Sequence, residues 1–385
     1  MQAVYIEVPM KSFVYADNAA TTKLDIDAFE AMKPFLLEEY GNPSQPYAFS
    51  RAPKKAIKES REIIAECIGA LPEEIYFTSG GTESDNWVIK GAALSENKKG
   101  SIITSSIEHH AILHACKAME RLGCRVSYID PSSEGVIEPQ TLDSAIAEST
   151  KLVSIMFANN EIGTIQPIQE LCEIAHSHGA IFHTDAVQAV GHIPIDVKKL
   201  GVDMLSASAH KFNGARGVGF LYIRKGTPII PYSDGGSQEY GYRAGTENTA
   251  GIVCMAKALQ VNCEKLSENQ VYVRTLETEL LNRLREKNIA FIKNGGEDTL
   301  PGLISLSFEG KDGEAILHRL DLMGIAVSTG SACNSQDTEI SHVLKAIKLD
   351  ERYARGTIRI SLSKNNTVED VIQIAAALEK IVGIF

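Results

Sequence analysis

The chain has one tryptophan, 6% aromatic residues and no basic excess. Lys and Arg total 38 against 49 Asp and Glu, a formal net charge of −11. A deficit of that sign argues against nucleic acid as the main partner. No apolar run approaches the roughly 18–20 residues of a membrane span. The start, MQAVYIEVPMKSFVY, lacks a basic opening, a long apolar run and a small-residue cleavage site. It reads as mature sequence, so the protein is expected to be cytoplasmic and off the membrane. There is no CxxC pair, and the seven cysteines (67, 116, 124, 172, 254, 263 and 333) are odd in number and scattered. A disulfide framework and a cysteine zinc site are therefore not expected, and most of these thiols read as buried small hydrophobes. With no HExxH or comparable spacing, no metal site is expected. Short-period repeats, low-complexity stretches and Pro/Ser-rich linkers are also missing.

What is present is an ordinary globular composition, 44% hydrophobic and 23% charged, over 385 residues. At about 150 residues per domain that length suggests two to three domains. Short apolar runs alternate with amphipathic stretches, which predicts an α/β fold. Expected strands are Ser101–Thr104, Leu152–Phe157, Ala180–His183, Met204–Ala207, Gly219–Ile223 and Leu303–Phe308. Helical spacing is expected over Ala52–Ile68, Thr249–Lys265, Asn269–Lys287, around Gly313–Met323, and from Thr367 to the end. Thr367 with Asp370 has the form of a capping box. This pattern divides the chain into a larger α/β domain over 15–260 and a smaller one made of 1–14 and 261–385.

Four constellations carry chemistry. FTSGGTESDN at 77–86 puts two glycines and hydroxyl residues at an expected helix start. There the backbone can approach a phosphate and the helix dipole favours an anion. Neither a P-loop nor a GxGxxG pattern is present. His183-Thr184-Asp185 follows an apolar run and puts a carboxylate where α/β sheets place ligands. Ser206 to Phe212 puts Lys211 at another strand end beside Ser208 and His210. A desolvated amine there is nucleophilic and suited to Schiff-base chemistry. Together the three motifs call for a ligand with a phosphate, a protonated ring nitrogen and an aldehyde, and pyridoxal phosphate has all three. In the fourth, STGSACNS, Cys333 lies among small polar residues, the composition of a loop presenting a sulfur nucleophile. Glu108-His109-His110 adds an imidazole able to stack on a planar group and move protons. His176 and His178 face apart on a helix and read as surface or packing residues.

These residues resemble the cysteine desulfurases of the NifS/IscS type, within the class V aminotransferase-like superfamily. The resemblance runs nearly end to end through YADNAATT (15–22), GNPSQ (41–45), FTSGGTESDN, IEHHA (107–111), MFANNEIGTIQPI (156–168), FHTDAVQA (182–189), SAHKFNGARGVG (208–219), RAGTEN (243–248) and STGSAC (328–333). It implies a fold-type I homodimer, with a mostly parallel seven-stranded sheet in the large domain and a small C-terminal domain carrying the catalytic cysteine loop. It implies that Lys211 holds pyridoxal 5′-phosphate, Asp185 pairs with the ring nitrogen, Gln188 binds the phenolate oxygen, and His109 stacks on the ring and transfers protons. Gly81, Thr82, Ser208 and His210 would hold the phosphate, with Thr246 reaching it from the partner subunit. Arg359 would bind the substrate carboxylate, Asn160 would sit beside cofactor and substrate, and Cys333 would take sulfur from L-cysteine as a persulfide, releasing L-alanine.

Implied onward partners are a protein sulfur acceptor, such as an iron–sulfur scaffold or a tRNA-thiolation enzyme. The chain departs from the usual pattern at Asn213-Gly214-Ala215-Arg216, at Gln45-Pro46, at Ser361 to Thr367 and at Glu339-Ile340-Ser341. None of these removes an assigned residue. The spacing from Cys333 to His342 is that of the longer-loop group, which points to protein-to-protein sulfur delivery. Two other readings stand beside this one. A selenocysteine lyase or other class V lyase would share the cofactor residues. A non-enzymatic scaffold would not need the intact Lys211, Asp185 and Cys333 set.

Overall fold

The computed structural model describes residues 13–95, 100–329 and 340–383. Its strands are β1 (Val14–Tyr15), β2 (Ile75–Thr78), β3 (Ser101–Ser105), β4 (Val126–Ile129), β5 (Thr150–Ser154), β6 (Ile181–Asp185), β7 (Met204–Ser208), β8 (Gly219–Ile223), β9 (Ile292–Asn294), β10 (Leu303–Ser307), β11 (Ile325–Ala326) and β12 (Thr357–Ser361). Seven of them form one sheet in the order β2-β8-β7-β6-β5-β3-β4. Only β8 runs against its neighbours; the rest pair in parallel. Every residue of β3, β7 and β8 is buried. That is why these strands are continuous apolar or small-residue runs: helices cover both faces of a parallel sheet.

The expected strands and helices stand within a few residues of their places. The exceptions are instructive. β5 starts earlier and ends at Ser154, yet Ile155 and Phe157 still donate to the carbonyls of His183 and Asp185. The helix of the glycine-rich motif starts at Gly81, the second of its two glycines. The long helix expected from Asn269 starts at Leu266. Edge strand β4 exposes Ser127 and Tyr128, so it lacked an apolar signature.

A second, antiparallel sheet, β12-β10-β9, lies in the C-terminal third. Helices Leu266–Glu286, Gly313–Leu322 and Val368–Val382 cover it around a core that includes Leu280, Ile304, Leu306, Ile358, Ile374 and Leu378. The last helix begins with the expected Thr367/Asp370 capping box. β1 pairs in parallel with β11, and Asp17 then bridges to Ser361, the last residue of β12. The N-terminal segment is thereby stitched to a sheet built from residues of the C-terminal third. No helix among the described residues is long and apolar enough to cross a membrane.

Candidate active site

Ligands of open α/β sheets bind outside the carboxyl ends of the strands. Here the ends of β6 and β7, the start of helix Gly81–Ala93, the turns after β3 and β5, and β12 converge on one cavity of about 580 Å³. Its lining includes Gly81, Thr82, His109, Asn160, Asp185, Gln188, Ser208, His210, Lys211 and Arg359. Ten sequence-predicted residues, scattered from position 81 to 359, are thus brought together. Thr246 is not among them; it lines, with Arg243, an adjoining cleft that shares Ser79 and Gly217 with this cavity. Cys333 lies outside the described residues.

The anion end is built from the helix start. Gly80 caps it at φ 147°, a backbone conformation open to glycine, and a Cβ on Gly81 would meet Val187 Cγ2 at 2.6 Å. Ser208 closes β7 beside this turn, and His210 Nδ1 pairs with Thr21 Oγ1 at 3.2 Å. The first-turn N–H groups of a helix have no intrahelical partner and favour negative charge. Burial, Lys211 and Arg216 push His210 down to about 4, so near neutrality it is an uncharged hydrogen-bonding group.

Asp185 ends β6, and its Oδ1 accepts from the Val187 amide at 2.9 Å. Burial pushes the carboxyl up to about 6, against the pull of that amide and of Lys211. Behind it lies a second carboxyl that sequence reasoning missed, Asp85, raised well above its usual range by burial and by Asp185. Asp85 Oδ1 is buried without a hydrogen-bond partner among the described residues, 3.9 Å from His183 Nε2. His183 bonds Ser154 and Ser206, and burial holds it neutral, near 3. Two buried carboxyls side by side create a strong demand for one positive charge in the cavity.

Lys211 sits in the turn after β7, and its Nζ donates to the carbonyls of Ala19 (2.6 Å) and Ala20 (3.0 Å). Gln188 Nε2 also donates to the Ala19 carbonyl, at 3.0 Å. His109 caps helix His110–Arg121: its Nδ1 accepts from the Ala111 amide at 3.2 Å. The neutral ring therefore carries its proton on Nε2. Burial, Lys211 and His342 push it down to about 4.

Arg359, from β12, donates to the Asn160 carbonyl and to Asp17 Oδ1, both at 2.8 Å, while its buried Nε has no hydrogen-bond partner among the described residues. A guanidinium fixed from two sides and facing a cavity is a carboxylate receptor in form. Asp17, like Asp85, was quoted within a motif but given no role; its chemistry appears only when β12 is placed beside it. Outside the cavity, Cys116, Cys124, Cys172 and Cys254 are buried and Cys67 and Cys263 half-buried. His176 and His178 pair with Asp203 and Asp143 at the surface.

Comparison with known proteins gives one consistent picture. The aminotransferase class-V family matches residues 14–374. Cysteine desulfurase IscS of Dictyoglomus turgidum is 50% identical over 97% of this chain and 95% of its own. A solved NifS-like protein superposes with a TM-score of 0.91 at 41% identity, over 97% of this chain and all of its own. SspA, solved in complex with cysteine, superposes with a TM-score of 0.82 at 37% identity, over 92% of this chain and all of its own.

Proposed function

The chain belongs to the class-V aminotransferase family and is a cysteine desulfurase, and from that premise we propose how its residues divide the work. The resident cofactor is pyridoxal 5′-phosphate. The site suits it chemically: a glycine-cleared helix start for the phosphate, the Asp185/Asp85 pair for a protonated ring nitrogen, and a lysine amine for the aldehyde. When bound, the cofactor supplies an electron sink for the pair released as bonds to the substrate's carbons break.

The chain's own groups do the rest. Gly81, Thr82, Ser208 and His210 hold the phosphate, and Gln188 binds the ring oxygen. Asp185 keeps a single negative charge facing the ring nitrogen. Lys211 Nζ would hold the cofactor's aldehyde until the substrate's amine takes its place, and the amine so freed would move the substrate's α-proton. His109 would lie against the ring and, being neutral, would offer Nε2–H for proton transfer. Arg359 takes the substrate carboxylate in its fork with Asn160 alongside. The Cys333 thiolate attacks the substrate sulfur: the carbon–sulfur bond breaks, a sulfur–sulfur bond forms, and alanine leaves. The balance is L-cysteine plus protein thiol giving L-alanine plus protein persulfide.

A second copy of the chain completes the assembly. Ile26 (68% exposed), Leu37 (66%) and Tyr40 (70%) present large apolar surface that favours burial against a partner. Thr246, which does not line its own chain's cavity, then serves the partner's phosphate. The persulfide passes to a protein acceptor in the cytoplasm, for iron–sulfur cluster assembly or tRNA thiolation.

The observation that carries this reading is the convergence of Lys211, Asp185, His109 and Arg359 on one cavity. The test is to incubate wild type and Cys333→Ala with L-cysteine, measuring alanine, the cofactor's absorption and intact mass. Wild type is expected to make alanine and gain one sulfur; the variant keeps the absorption band and gains none. Full-rate alanine from Cys333→Ala would remove the persulfide step from that residue.

A further inference from the structure

Ser341 and His342 touch none of the cavity, yet both reach the segments that carry its working groups. Ser341 Oγ donates to Glu161 Oε2 at 2.5 Å and accepts from the Val343 amide at 3.0 Å. His342 Nε2 meets the Glu108 carbonyl at 3.0 Å; a carbonyl only accepts, so this nitrogen carries the ring proton. Glu108 directly precedes His109, and Glu161 directly follows Asn160, whose carbonyl fixes Arg359.

The two segments are also tied to each other. Asn159 Oδ1 accepts from the amides of Glu161 and Ile162 at 2.8 and 3.0 Å, and its Nδ2 donates to the Ile107 carbonyl at 2.9 Å. Below them Ile107, Met156 and Ile162 pack with Val343, Leu344 and Ile347 in one buried cluster. Glu161 is 5% exposed, and Ser341 is the hydrogen-bond partner of its carboxyl among the described residues. Burying a carboxyl costs free energy unless it is held. An apolar residue would cost less, so this one marks a contact that matters for position.

We propose that Ser341 and His342 are positioning residues, a two-pronged clasp: the Ser341–Glu161 prong sets Asn160 and Arg359 for the substrate carboxylate, and the His342–Glu108 prong sets His109 for proton transfer. The inference rests on the reading of Arg359 and His109 given above. It predicts that the prongs fail differently, because one serves binding and the other chemistry.

The experiment is steady-state alanine formation from L-cysteine by the holoenzyme, with amide hydrogen exchange on the cofactor-free protein. Ser341→Ala is expected to raise KM about five- to tenfold with kcat within about twofold, the scale of one lost hydrogen bond. It should also speed exchange at the Glu161 and Ile162 amides. Ser341→Thr, which keeps the hydroxyl, is expected to restore KM. His342→Ala is expected to lower kcat about tenfold at unchanged KM, and His342→Gln, whose amide still donates, to recover most of it. The clasp is overturned if both alanine variants keep wild-type KM and kcat, or if KM and kcat worsen together in step with a lost Tm. Arg359→Lys is the control on the underlying reading. If it leaves KM unchanged, the carboxylate assignment falls and the clasp with it; if it raises KM while Ser341→Ala does not, only the clasp falls.

Discussion

Arg359 and Asp17 form a 2.8 Å ion pair at the edge of the cavity, both largely buried, joining a strand near the C-terminus to the segment just after β1. Among the described residues Arg359 Nε has no hydrogen-bond partner, so the guanidinium is held but not saturated. Removing its partner should loosen the fork without abolishing the charge. Asp17→Ala is expected to raise KM for L-cysteine about tenfold, and Arg359→Lys, which loses the planar fork, by about tenfold or more. Steady-state kinetics on alanine release decides this; an unchanged KM in both variants would remove Arg359 from substrate binding.

The second prediction concerns Asp185. Asn keeps its shape and one acceptor but brings no charge to the cavity. Asp185→Asn is expected to retain cofactor absorption while alanine formation falls at least about a hundredfold, the scale of removing one preorganised electrostatic group. Titrating the absorption band with pH checks the cause: the variant's ring nitrogen should lose its proton at lower pH than the wild type's. A variant with wild-type turnover would show that Asp85 alone supplies the charge.

How far the chain's order disclosed this site differs from residue to residue. Lys211, Asp185 and the Gly80–Gly81 turn were legible because each stands at or just after the end of a strand that is almost wholly buried, and such strands announce themselves as apolar or small runs. Asp85 was not. It occupies the fifth position of a helix, Gly81–Ala93, where an acid ordinarily faces water, and only the sheet behind it makes it a buried partner of Asp185. Asp17, Glu161 and Ser341 were opaque for another reason. Their partners lie 342, 180 and 180 residues away, and no local periodicity encodes a contact of that range. Edge strand β4 was missed because its exposed residues give no apolar signature.

The third prediction follows from buried carboxyls. Burial pushes Glu108 up to about 8 and Glu161 up to about 7, from an ordinary value of 4.5. In the window between the ordinary and raised values the folded chain holds more protons than the unfolded chain, so stability falls as pH rises. His183 and His109 are pushed the other way, to about 3 and about 4, so their contribution rises with pH and is complete above about 6.5. From pH 6.5 to 8 only the carboxyl trend remains among these groups. Calorimetry on the cofactor-free protein should show Tm decreasing across that interval, and Glu108→Gln, neutral at every pH, should flatten the slope. A Tm that rises over the same interval in wild type would contradict the burial of Glu108 as a neutral acid.

The last prediction concerns Arg61 and Glu239. Arg61 donates to both carboxylate oxygens of Glu239, at 2.9 and 2.7 Å, and Glu239 also accepts from the Phe77 amide at 2.9 Å. Their side chains are 10% and 4% exposed, and the guanidinium lies 4.4 Å from the Phe77 ring centroid. Glu239 and its neighbour Tyr240 both have positive φ, 45° and 57°, a strained turn that the ion pair holds against β2. The segment leads on to Arg243, which pairs with Glu83 at 2.8 Å on the first turn of the phosphate-side helix. Breaking a buried pair from one side leaves a charge without compensation and costs about 3–5 kcal/mol. Glu239→Ala is therefore expected to destabilise the protein by about that amount in urea unfolding, since Arg61 cannot shed its charge. Replacing both residues, Arg61→Met with Glu239→Leu, should cost less than the single change because no charge remains buried. If the single variant unfolds at the wild-type urea midpoint, the pair does not hold the turn, and the route from Glu239 to the Glu83–Arg243 contact carries no stabilising load.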